Sequence, residues 1–289
     1  MPVAVVTGAN RGIGLAVTEA LARRRYTIYA GCRRPGAATD LSAVISSAKH
    51  GSVIKMDVAD PRSVTAAAQE IFSRSEAVDL LINNAAIGRA AGYPPAAAEG
   101  PLAALDGHAI ASLLQVNSIG PAIVTQALIP ALKRSASGAR VVNVTSDLGS
   151  LSAEVPEGSY AYAMSKAALN MLTRKLAAEF SPRGIIVAAI HPGSVQTRLG
   201  GPAADLLPAQ AAETLLDLIC TLKPEHTGRA FTPNGDPLPW LQSLTVNTDP
   251  RAGARAGSLR SRRAAHGHPE IAQTLRLDMG AGGGARPAV

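Results

Sequence analysis

Six apolar runs of strand length, separated by stretches long enough for a helix, constrain this chain more than any other feature. They are VAVVT, TIYAGC, SVIKMDV, VDLLINN, ARVVNVTS and IIVAAIHPG, spread over residues 3–193. A strand that is apolar at nearly every position has both faces covered. Such strands alternating with helices give a parallel sheet with helices packed on each side. The segment after the first run has matching helical spacing, with Leu15, Val17, Ala20, Leu21 and Ala22 apolar over residues 15–25. The predicted fold is α/β: a doubly wound parallel sheet with helices on both faces, without any repeat of solenoid period. In such a sheet, ligand binds beyond the carboxyl ends of the strands.

The last run ends near residue 190 of a 289-residue chain, and composition distinguishes the remaining hundred residues. At 47% hydrophobic the chain can build a full core, which excludes a wholly disordered protein. Residues 1–240 carry 21 Lys and Arg against 18 Asp and Glu. Residues 241–289 carry seven Arg against three acids, with seven glycines and no aromatic. Most of the net charge of +7 thus lies in a segment too poor in bulky apolar residues to fold alone. The sequence predicts one domain over 1–240 and a basic, disordered Gly/Ala/Arg-rich tail over 241–289. A nucleic-acid or partner-binding arm is the alternative for that tail; nucleic acid is otherwise not an expected partner. No apolar run approaches the ~20 residues of a membrane span. Met1-Pro2 leads directly into a strand-sized run without a basic leader, so the expected setting is cytoplasmic, with no membrane partner. Cys32 and Cys220 neither frame a disulfide nor fall in a metal-ligand spacing, and no metal site is predicted.

TGANRGIG, residues 7–14, joins the first strand to the first helix. It departs from the G-x-G-x-x-G spacing but has the parts of a Rossmann-type dinucleotide turn. Gly8 permits a tight turn, Gly12 lets backbone approach a pyrophosphate, and Gly14 lets helix and strand pack closely. The helix amino terminus then offers amide donors and a partial positive charge to phosphate. At the end of the second strand an acid would select NAD, whereas arginine pairs with the 2′-phosphate of NADP. That segment reads TIYAGCRRPGAATD, with Arg33 and Arg34 at the exit, no acid before Asp40, and Arg11 as a third cation in the turn. NADP(H) is therefore preferred over NAD(H).

Tyr162 and Lys166 stand four apart in a strong helix candidate, SYAYAMSKAALNMLTRKLAAEF, and so share one face. An ammonium there favours the phenolate and is expected to lower the tyrosine pKa from its free value of ~10, suiting it to proton exchange. With the glycine turn, this pair resembles the short-chain dehydrogenase/reductase family in its compact single-domain branch. Asp57 in KMDV resembles the acid that contacts adenine, NNAA resembles the family's NNAG at Asn83, QVNS places Asn117 at the helix asparagine, and NVTS places Ser146 at the catalytic serine. HPGSVQT resembles the segment that approaches the nicotinamide carboxamide. AGCRRP, AIHPGSVQT and GRAFTPNGDPLPW further resemble sniffer-type and C-factor-like carbonyl reductases.

The resemblance implies catalytic roles for Ser146, Tyr162, Lys166 and Asn117. It implies dinucleotide contacts at Gly8, Asn10, Arg11, Gly12, Ile13, Gly14, Arg33, Asp57, Val58, Asn83, Ala85, Tyr162, Lys166, Pro192, Gly193, Val195 and Thr197. By this reading Tyr162 protonates a carbonyl oxygen held by Ser146, and Asn117 anchors a water linking Lys166 to solvent. His191 is expected to be structural. The implied activity is NADPH-dependent reduction of an aldehyde, ketone or quinone-like carbonyl. The alternative is a dinucleotide-binding signalling or sensor protein with weak or no turnover. Ala86 replaces the last glycine of NNAG, and Ser146 and Tyr162 lie sixteen residues apart, slightly more than is usual in the family. The expected pocket is lined by small apolar segments: residues 88–100, the insert SAEVPEGS, and residues 198–207, which are read as a lid. They suit a small hydrophobic carbonyl substrate. A homodimer or homotetramer through paired long helices is a further expectation.

Overall fold

The computed structural model describes residues 1–88, 92, 94, 96–152 and 159–240. Each predicted run forms a strand: β1 (Val3–Thr7), β2 (Thr27–Cys32), β3 (Gly51–Lys55), β4 (Leu80–Asn83), β5 (Arg140–Val144) and β6 (Ile186–Ile190). All six are parallel, in the spatial order β3-β2-β1-β4-β5-β6. The two-residue period of a strand divides their side chains between two cores. Ala4, Val6, Leu80 and Ile82 enter one; Val5 and Leu81 enter the other. The first core is covered by α1 (Gly12–Arg23), α2 (Thr39–Ala48) and α8 (Pro208–Thr221). The second is covered by α3 (Pro61–Phe72), α6 (Gly120–Leu132) and α7 (Tyr160–Phe180). Fully burying a Leu or Ile is worth about 1.5–3 kcal/mol, which explains why these strands read as near-continuous apolar runs. The chain reverses direction across the sheet between β1 and β4, and this switch point opens the crevice.

Two features depart from the sequence expectations. Helix α5 (Gly107–Leu114), the π-helical turn Gln115–Ile119 and α6 run on as one 26-residue stretch, Gly107–Leu132. By length and composition alone it is long and apolar enough to cross a membrane, contrary to the expectation that no run approaches that length. Gln115, Asn117 and Ser118 interrupt the apolar run in sequence; here Asn117 and Ser118 are buried and bonded to neighbouring elements, while Ala109, Leu113, Val124 and Leu128 fill cores. Beyond β6 the sheet gains β7 (Ala230–Phe231), parallel to β6, and β8 (Pro237–Leu238), antiparallel to β7. Two-residue strands are too short to show a period. A short helix, α4 (Ala96–Glu99), precedes α5. The tail over 241–289 and the insert residues 153–158 lie outside the described residues.

Candidate active site

The glycine turn is built as a cradle without side chains. Gly8 and Gly12 have φ of +65° and +55°, the left-handed region that disfavours other residues. A Cβ on Gly8 would lie 2.8 Å from Ala85 Cα, and one on Gly14 would lie 2.4 Å from the Gly8 carbonyl oxygen. Gly14 thus packs against the backbone of the turn itself and the Asn84 side chain. Asn84, which sequence reasoning passes over beside Asn83, clamps the turn. Its Nδ2 donates to the carbonyls of Thr7 (2.9 Å) and Gly8 (3.2 Å), while Thr7 Oγ1 accepts from the amides of Asn84 and Ala85 at 3.0 Å each. Among the described residues no side chain caps α1, so its first-turn amides keep donors for an anion. These residues fit a dinucleotide pyrophosphate.

Arg11 and Arg33 are exposed at this end of the sheet. Partial burial, then the charge of Arg198, then that of Arg33 lower the Arg11 pKa. The sequence expectation puts Arg198 in the pocket-lining segment 198–207 and gives it no part beside the glycine turn. Asp57 follows β3; its Oδ1 accepts from Ala59 N at 3.0 Å, and Val58 packs under Gly120. Asn10 is exposed in the turn, and Ile13 packs against the first core. Gly193 has φ of +86° and, with Pro192, leads into Val195, which bridges to Leu206. Asn83 is held by its side chain inside the sheet. It is 3% exposed, and its Nδ2 donates to Thr125 Oγ1 (3.2 Å) and Asn143 Oδ1 (2.9 Å). Asn143 continues to Thr173, making a buried polar strut beneath the crevice.

The three candidate reacting side chains gather where β5 ends and α7 begins. Ser146 leaves β5 in extended conformation and opens a short 3₁₀ turn, Asp147–Gly149. A Cβ on Gly149 would lie 2.8 Å from both Lys166 C and Asn170 Nδ2. Only glycine lets this turn press against α7. Asn170 fastens it by donating to the Gly149 carbonyl at 2.9 Å. Tyr162 packs against Ala97, Ala98, Ala109, Leu113 and Ala161. Burial and the Asp147 carboxylate push its phenol up to about 12, against a hydrogen bond with Ser146. The lowering expected from Lys166 is thus not what these surroundings produce. Lys166 is 2% exposed, its Nζ donates to the Val144 carbonyl at 2.8 Å and lies 5.6 Å from the Tyr162 ring centroid, and burial lowers its pKa to about 8.

Asn117 sits in the π-helical turn, with its side chain fully committed. Its Oδ1 accepts from Ile87 N (2.9 Å), while Nδ2 donates to Ile87 O (2.8 Å) and Ser165 Oγ (2.9 Å). It thereby ties the segment after β4 to α7. Asp147, also missed by sequence reasoning, accepts the Ser146 hydroxyl at 2.7 Å. His191 Nε2 lies 4.0 Å from Asp147 Oδ1, and burial lowers its pKa despite that carboxylate. The segment after Thr197 is laced down: Gln196 N donates to Leu206 O, Leu206 N to Ser194 O, and Leu199 rests against Gly88.

A family model described as short chain dehydrogenase matches residues 2–205. C-signal of Myxococcus xanthus is 42% identical over 163 residues, covering 56% of this chain and 93% of that protein. The NADPH-bound carbonyl reductase from chicken fatty liver is similar in fold with a TM-score of 0.74 and 29% identity, covering 83% of this chain and 100% of that one. The carbonyl reductase Sniffer of D. melanogaster gives 0.76 and 26%, covering 83% and 99%.

Proposed function

The chain belongs to the short-chain dehydrogenase family of oxidoreductases, and within it we propose an NADPH-dependent reductase of small hydrophobic carbonyls, with Tyr162 as proton donor. The observation that carries this reading is the meeting of Ser146, Tyr162 and Lys166 at the same end of the parallel sheet as the glycine cradle. Gly8 to Gly14, Arg11, Arg33, Asp57 and the segment Pro192 to Thr197 would hold the dinucleotide. When bound, NADPH supplies hydride to the carbonyl carbon. Tyr162, with its phenol near 12, stays protonated across the neutral range, the state a donor requires. Ser146 must turn its hydrogen from Asp147 to the substrate oxygen. Asp147 is 55% exposed, so water readily takes over its hydrogen bond. Lys166, near 8, changes protonation close to neutral pH and can return a proton to Tyr162. Any water relay beyond Lys166 would use the Asn117 main chain, because its side chain is committed.

Carbonyl-dependent NADPH oxidation across aldehydes, ketones and quinones tests the activity, with NADH as comparison. Tyr162→Phe is expected to lower kcat by roughly 10²–10⁴-fold; undiminished turnover would exclude the mechanism. The likeness to C-signal favours a second reading, a dinucleotide-binding signalling protein. Tight NADPH binding without turnover over the whole panel would select it. Cytoplasmic location and a homodimer or homotetramer are parts of the first proposal, the latter checked by sedimentation.

A further inference from the structure

We propose that Arg198 is a ligand of the dinucleotide pyrophosphate, a role that rests on the dinucleotide reading of the site. Thr197 packs directly on the glycine turn: a Cβ on Gly12 would lie 3.2 Å from Thr197 Cγ2. Arg11 immediately precedes Gly12, and Arg198 immediately follows Thr197. The two guanidiniums are therefore carried to the start of α1 from opposite parts of the chain, and Arg11 senses the charge of Arg198. The segment that delivers Arg198 is fixed. Thr197 Oγ1 accepts from Gly200 N at 3.0 Å, Gly201 N donates to Thr197 O at 2.8 Å, and Val195 bridges to Leu206.

Arg11, Arg33 and Arg198 are all exposed, and none forms an ion pair among the described residues. Like charges gathered beside a helix amino terminus, with no ion-pair partner among the described residues, favour an anion there. Strand order then assigns the phosphates. Arg33 leaves β2 on one flank of β1, whereas Arg198 follows β6 on the other flank, with Arg11 between them. The 2′-phosphate belongs at the end of β2 and the pyrophosphate at the start of α1. Arg33 thus distinguishes NADP(H) from NAD(H), while Arg198 holds the part that both share.

The test measures dissociation constants of ADP-ribose, NADPH and NADH by calorimetry on the full chain, its Arg198→Ala variant and its Arg33→Ala variant. Arg198→Ala is expected to weaken all three by the same factor, about tenfold, the loss of one charge-assisted contact. Arg33→Ala is expected to weaken NADPH alone. An ADP-ribose affinity unchanged in Arg198→Ala, or a loss confined to NADPH, overturns the proposal while leaving the dinucleotide site intact. An unaltered chain that binds none of the three overturns the underlying reading, and this proposal with it. Arg198 is exposed and bonds no other described side chain, so its removal leaves the fold unaffected.

Discussion

Tyr162 and Lys166 depart from their ordinary pKa values in opposite directions, in both chiefly through burial, which opposes whichever form is charged, with Asp147 adding to the rise of Tyr162. For Lys166 the value falls from 10.5 to about 8. Between those two pH values the unfolded chain binds more protons than the folded one, so stability rises with pH across the window. For Tyr162 the value rises from 10.0 to about 12; its contribution is complete below the lower value and is lost as pH climbs through the upper. Lys166→Met removes the first effect and keeps the tyrosine. Urea midpoints are expected to show the unaltered protein gaining on this variant as pH rises from about 8 towards 10.5, by at most roughly 3 kcal/mol. Parallel pH curves for the two proteins would refute burial of the amine as the cause. The four-residue spacing of Tyr162 and Lys166 is legible in the sequence. The sign of the tyrosine shift is not, because Asp147 and the apolar wall come from other elements.

At the scale of elements, the site depends on two places where backbone approaches backbone. The 3₁₀ turn Asp147–Gly149 presses on α7, and the turn before α1 presses on the loop after β4. Gly149→Ala would drive the first contact apart and carry Ser146 away from Tyr162. The expected cost is about 1–3 kcal/mol of stability, with a fall in kcat larger than the rise in KM. Gly36→Ala, where an added Cβ meets no described residue within 4 Å, is the control. Equal effects of the two substitutions would remove the packing argument. Asn117 and Asn170 act at this scale as well, as ties between segments distant in sequence.

In the whole molecule, the edge of the sheet reaches back to the crevice. Ser150 Oγ donates to the Pro239 carbonyl, Leu151 N donates to Trp240 O at 3.2 Å, and Trp240 Nε1 donates to Gly228 O at 3.2 Å. We propose that the folded domain ends at Trp240. Truncation after Trp240 is expected to leave Tm unchanged, whereas truncation after Asp236 removes β8 and these partners and is expected to lower Tm by several degrees. Identical melting of both truncations would refute the boundary. By contrast, the Arg23 and Arg24 pairs with Glu213 and Asp217 between α1 and α8 are substantially exposed and contribute little.

Whatever repeats locally can be read along the chain without coordinates: the apolar runs that become β1 to β6, the glycine turn, and the helical spacing of Tyr162 and Lys166. Each is set by the period of a strand or helix, or by a backbone angle that only glycine readily adopts. Folding in three dimensions was needed to make Asn83 a buried strut while Asn84 clamps the turn, to set Asp147 over the Ser146 hydroxyl, and to stand Arg198 beside Arg11. Those outcomes depend on which segments the sheet order brings together, and chain order carries no record of such distances.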